Sequence, residues 1–98
     1  MHIHIAIFRW KPSVSEDDVV AALRDVEALR PKIPGIVEIS TGTNTSRYSD
    51  GYTHVVLVRG ESQDAIDRYR AHPDHLAVAN RIDAMEEHGI GVDYVTRS

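Results

Sequence analysis

Between positions 69 and 75 the chain reads Tyr-Arg-Ala-His-Pro-Asp-His, which gathers a phenol and two imidazoles within seven residues. An imidazole with an ordinary pKa of about 6.5 can take a proton from the carbon beside a carbonyl at neutral pH. A phenol can donate a hydrogen bond to the carbonyl oxygen as it becomes an enolate. Pro73 lacks an amide hydrogen and fixes its own φ, so it ends or bends the helix arriving from Ser62 and puts His75 near the start of the next one. The unpaired amides there form a partly positive end that disfavours an imidazolium and keeps the ring neutral. On this reading His75 is a general base and Tyr69 its acid partner.

His4 and His54 fall in strand-like stretches whose alternation puts both on the side facing the helices. There they would orient His75 or polarise a bound carbonyl, or else they are buried histidines satisfied by each other or by backbone. His72, just before Pro73, either joins this group or points to solvent from a loop. The same residues also admit a structural account, in which His75 caps a helix and Tyr69 packs in the core with its hydroxyl bonded. Between the two accounts stands a pocket that binds a ligand without reacting. A transition-metal site is not expected: His72 and His75 are close, but no Glu-x-x-His, His-Glu-x-x-His or carboxylate cluster stands at metal spacing. No cofactor is expected either.

The elements that must position these groups follow from periodicity. Met1 to Trp10 reads as a strand, with Ile3, Ile5 and Ile7 on one face and His2, His4, Ala6, Phe8 and Trp10 on the other. Ser15 is an N-cap, and Val19, Ala22, Leu23, Val26 and Leu29 follow at helical spacing until Pro31 and Pro34. Ile36 to Thr43 is a second strand, with Ile36 and Ile39 on opposite faces by alternation, and Asp50-Gly51 marks a turn. Tyr52 to Arg59 is a third strand, with Tyr52, His54, Val56 and Val58 on one face and Val55 and Leu57 on the other. A helix from Ser62 carries Ala65, Ile66 and Tyr69 in phase. After Pro73 another runs to about Glu87, with Leu76, Ala79 and Ile82 in phase, and His88-Gly89 resembles its end. Ile90 to Thr96 is the last strand, with Ile90, Val92 and Tyr94 opposite Gly91, Asp93 and Val95.

The order β-α-β-β-α-β is the ferredoxin-like arrangement, an α+β fold with both helical segments on one face of a four-stranded antiparallel sheet. Residues 1–98 read as a single domain without repeats or linkers. The face turned from the helices carries Ile3, Ile5, Ile7, Val55 and Leu57, and an apolar patch of that kind marks an interface. The economical cover is a second copy, giving a homodimer whose sheets pack face to face as a barrel. Net charge is −4 and no two basic residues are adjacent, which argues against nucleic acid. The absence of cysteine removes a disulfide framework and a thiol nucleophile. No apolar run approaches the roughly 20 residues of a membrane span and no signal pattern opens the chain, so a soluble, cytoplasmic protein is expected.

These residues together resemble the stress-responsive A/B-barrel (Dabb) family of dimeric α+β barrels. The likeness covers nearly the whole chain. It rests on His4, Phe8 and Lys11, on Ile33-Pro34-Gly35, on Gly51-Tyr52-Thr53-His54, on the Tyr69–His75 stretch and on Asp93-Tyr94. It implies a dimer of ferredoxin-like protomers. The family includes a plant polyketide cyclase whose histidine and tyrosine match His75 and Tyr69, with further histidines matching His4, His54 and His72. It also includes stress-induced proteins without an assigned reaction. Ala22, Leu23 and Val26 depart from the plant pocket, where larger or aromatic residues shape the substrate, so the substrate does not carry over. The resemblance implies cofactor-free cyclase or lyase chemistry on a carbonyl-rich apolar molecule; alternatives are a non-catalytic stress-responsive or ligand-binding homodimer, and a cofactor-free monooxygenase.

Overall fold

The computed structural model describes residues 1–97. Its elements run β1 (His2–Trp10), α1 (Glu16–Glu27), a 3-10 turn (Arg30–Lys32), β2 (Ile36–Thr43), β3 (His54–Gly60), α2 (Gln63–Ala71), α3 (Pro73–Met85) and β4 (Glu86–Val95). The four strands form one antiparallel sheet in the order β2-β3-β1-β4, so the first and third strands are central and the last is an edge. All three helices lie against one face, giving the ferredoxin-like fold expected from the order of elements.

Local chemistry explains the helix boundaries. The Ser15 hydroxyl accepts the Asp18 amide, three acids fill the first turn of α1, and Val19, Ala22, Leu23 and Val26 are buried. The α-helix ends at Glu27, with the Ala28 amide making the last i→i−4 bond to Arg24, earlier than the prolines suggested, and the chain reaches Ile33 through the 3-10 turn. Ser62 caps α2 by accepting the Ala65 amide, and Ala65, Ile66 and Tyr69 are its buried face. Gly35 carries φ +87°, and a Cβ there would stand 2.8 Å from the Cβ of Ala65, so glycine lets β2 begin hard against α2.

Four details correct the sequence expectation. A bulge between Ile36 and Glu38 turns Ile36 and Ile39 to the same side, so both are buried despite their odd spacing. Tyr52 precedes β3 rather than opening it, yet it is buried. The buried residues of α3 are Val78 and Ile82, whereas Leu76 is 51% exposed. The expected phase fails because His75, polar by type, stands on the inner side with Val78 and Ile82. Finally, α3 passes directly into β4 at Glu86, so His88 and Gly89 lie within the strand and not at a helix end.

The register fixes what each strand offers. His4 pairs with Val58 and Asp93, Ala6 with Val56 and Gly91, and Phe8 with His54 and Gly89. These residues face the helices, where Phe8, Val56 and Val58 join the core built on α1. On the opposite face Ile5 pairs with Leu57 and Val92, and Ile7 pairs with Val55 and Ile90. Ile90, Val92 and Tyr94 are 40%, 46% and 49% exposed, so a band of apolar side chains runs across the open side.

Candidate active site

The break at Pro73 brings Tyr69 and His75 together, because α2 and α3 meet there at an angle set by extended backbone at His72 (φ −61°, ψ 133°). The two rings lie 4.4 Å apart between centroids, tilted by 48°. His4 rises from β1 below them, its ring 6.0 Å from that of Tyr69. All three line one cavity of about 130 Å³. Its remaining walls are mainly apolar, from Ala6 and Phe8 beneath to Val78 and Ile82 above, with Asp83 at the far end. An engineered cavity of about 150 Å³ accepts benzene, so this space suits a ligand built around a single ring.

The backbone fixes the His75 tautomer. Its Nδ1–H donates to the carbonyl of Arg70 at 3.0 Å, which leaves the lone pair on Nε2. The pKa of His75 is lowered from 6.5, chiefly by burial and further by the charges of His4 and Arg70; the bond to the Arg70 carbonyl and the charge of Asp83 act the other way. The ring is therefore held neutral as expected, but burial rather than the helix end is the leading cause. Tyr69 is buried, and desolvation pushes its phenol up to about 12 against a smaller opposing effect of Arg70. It remains a proton donor throughout the neutral range.

A second set of groups supports His4. Its Nδ1 lies 2.6 Å from Oδ1 of Asp93, and the other carboxylate oxygen accepts from Nη2 of Arg70, also at 2.6 Å. The same Arg70 nitrogen is 3.0 Å from Nδ1 of His4. Because that nitrogen donates its proton to Asp93, the arginine contact is not a second hydrogen bond. Arg70 first, then His4, hold the Asp93 carboxyl below the usual carboxylate range. The imidazole of His4 is thereby oriented by an anion that a cation in turn fixes.

The other histidines stand elsewhere. His54 is four residues along β3 from Val58, the position facing His4, about 13 Å at strand spacing. Its Nδ1 accepts from the indole N–H of Trp10 at 2.9 Å, with the Thr53 hydroxyl 2.8 Å away, and its Nε2 lies 3.5 Å from Glu16. It therefore borders a separate cleft under the start of α1. His72 caps α3, its Nδ1 accepting the Asp74 amide at 3.1 Å, so the capping role considered for His75 belongs to His72. His88, assigned no chemistry from the sequence, meets the Tyr52 hydroxyl at 2.5 Å. Glu86 opens β4 with one carboxylate oxygen buried and unpartnered among the described residues. Burial and the adjacent Asp83 raise its pKa. Sequence reasoning assigned no role to Arg70, Asp83 or Asp93, whose proximity to the cavity depends on cross-strand register and helix phase.

Residues 3–96 match the model of the family described as the Stress Responsive A/B Barrel Domain. The olivetolic acid cyclase of Cannabis sativa is 25% identical over 96 residues, covering 96% of this chain and 95% of that protein. A stress-response A/B barrel domain-containing protein of Arabidopsis thaliana is 29% identical over 76 residues, covering 76% of this chain. The match spans only 28% of the Arabidopsis protein's own length. Among solved structures, a dimeric ferredoxin-like protein of unknown function from Thermobifida fusca superposes with a TM-score of 0.85 at 26% identity, covering 97% of this chain and 90% of that one.

Proposed function

This chain belongs to the stress-responsive A/B barrel domain family, and we propose that it catalyses cofactor-free acid/base chemistry on a small, apolar carbonyl compound. One observation carries the proposal: Tyr69 and His75 share the wall of a ring-sized apolar cavity, with the Nδ1 of His75 tied to backbone and Nε2 left as the basic nitrogen. In the reaction, Nε2 of His75 removes a proton from the carbon beside the carbonyl, and the phenol of Tyr69 donates to the oxygen that gains charge. For an intramolecular aldol closure, the enolate carbon bonds to a second carbonyl carbon, and the imidazolium returns its proton to the new alkoxide. His4, held by Asp93, is placed to hydrogen-bond a second oxygen of the ligand. Likeness to a protein named as a cyclase over nearly the full length of both chains supports the same class of chemistry. His54 and His72 serve the fold instead, His54 by its buried bond to Trp10 and His72 by capping α3.

The first step can be tested without the natural substrate. Acetophenone in heavy water loses its methyl proton signal as enolisation exchanges those protons for deuterium. The protein should accelerate the loss, His75→Ala should reduce the acceleration by about 10²–10⁴-fold, and Tyr69→Phe by about 10²–10³-fold. An exchange rate equal to that of buffer, or one unchanged in His75→Ala, would overturn the acid/base assignment.

A separate observation bears on assembly. Ile5, Ile7, Val55, Leu57, Ile90 and Val92 form a contiguous apolar band on the sheet face turned from the helices, and a patch of that kind marks an interface. We infer that a second copy covers it; the Thermobifida relative is described as dimeric.

A further inference from the structure

We propose that ligands reach the His75–Tyr69 cavity through a slot between α3 and β4 whose sill is Gly91, and that the side chain at position 91 sets the size of molecule admitted. The proposal rests on the cavity being a ligand site, though not on any particular reaction there. Ala6 and Phe8 form part of the cavity floor, and their β4 partners in the register are Gly91 and Gly89. Asp93, two residues further on the same face, bonds His4, which lines the cavity. Where β4 should close the space with side chains, it therefore carries two glycines in alternation.

The two ends of the slot are closed. At one end Arg70 bridges α2 to Asp93 of β4. At the other α3 runs directly into β4, and Lys11 ties this corner down, its amide donating to the Met85 carbonyl and its Nζ to that of Ala84. The middle is open because β4 is an edge strand with no neighbour beyond it among the described residues.

Gly91 is not required by the backbone. Its φ is not positive, and a Cβ built there meets nothing nearer than the Ile5 carbonyl oxygen at 4.0 Å. A glycine inside a strand weakens it, and one that neither turns the chain nor relieves a clash commonly marks a close approach by another molecule. Gly89 differs: a Cβ there would stand 2.5 Å from Oε2 of Glu86, so that position is filled by the strand's own carboxylate. Asp83 lines the cavity, the Glu86 carboxylate packs against Gly89 and Asp93 bonds His4, while Arg70 is already held by Asp93. The passage favours neutral ligands over carboxylates.

The native chain contains no cysteine, so Gly91→Cys introduces a single thiol at the sill. Diethyl pyrocarbonate, a small neutral acylating agent, modifies neutral imidazole, and peptide mass spectrometry reads each histidine separately. Treating Gly91→Cys with benzyl methanethiosulfonate adds a ring at the sill, which dithiothreitol removes. We expect modification of His75 to slow roughly tenfold or more with the ring in place and to recover on reduction, while His72 reacts as before. The same label on Leu76→Cys, on the exposed side of α3, should leave His75 unaffected. An unchanged His75 rate in the labelled Gly91→Cys protein would overturn the proposal and put the entrance elsewhere. The readout needs no turnover, so failure of the exchange assay and failure of the slot are separate results.

Discussion

At the residue scale, protonation separates a chemical role for His75 from a structural one. Its folded pKa lies below 6.5, so the neutral base persists to lower pH than a free histidine would allow. The acid limb of the exchange rate should fall below pH 6.5, while Tyr69, pushed up to about 12, adds no titration in the neutral range. The sign for stability follows from the same depression: the unfolded chain binds a proton at this site before the folded one does. Stability from His75 is complete above about pH 6.5, the unfolded value, and is lost as pH falls toward the folded pKa. Removing the ring, as in His75→Ala, should flatten that part of a stability–pH curve. His54 makes the contrasting case, for its imidazole is buried and bonded to Trp10. His54→Ala leaves the indole N–H unpaired and should cost about 1–3 kcal/mol in denaturant unfolding, with no change in the exchange rate per folded molecule.

At the element scale, glycines test the packing because their constraints differ. Gly35→Ala forces a side chain onto φ +87° and against Ala65, so it should destabilise by about 1–3 kcal/mol in thermal or chemical unfolding. Gly91→Ala has an ordinary φ and open space, and should change stability little or raise it slightly. The elements themselves are legible in the sequence because their signals are local: Ser15 and Ser62 cap, Pro73 divides α2 from α3, and alternation marks β1 and β3. The departures arise where a local rule is overridden. A bulge reverses the face of Ile36, the inward turn of His75 hides the phase of α3, and a helix passing straight into a strand makes His88-Gly89 look like a terminus. The Tyr69–His75 pair is legible because one proline sets its geometry. The Arg70–Asp93–His4 chain is not, since it joins residues far apart in sequence through a register that only tertiary pairing determines.

At the scale of the whole molecule, the sheet has two working faces. One buries the cavity beneath the helices; the other carries apolar residues on its three consecutive strands β3, β1 and β4. A stable pair commonly buries about 800 Å² per partner, and an apolar sheet face offers one continuous surface for it. Sedimentation should therefore give a dimer, and Val92→Lys, which introduces a charge opposite Ile5, should shift it to monomer. A wild-type monomer at all concentrations would contradict the inferred assembly. On the other face, groups from β1, α2, α3 and β4 should behave as one polar site, and the proposed chemistry depends on that coupling. The most direct measurement is an NMR titration of the histidine rings in wild type and in Tyr69→Phe. We expect His75 to be the Nδ1–H tautomer with a midpoint below 6.5, and the resonances of both His75 and His4 to shift when the phenol oxygen is removed. A His75 that titrates as a free ring, with neither histidine responding to Tyr69→Phe, would contradict a shared site.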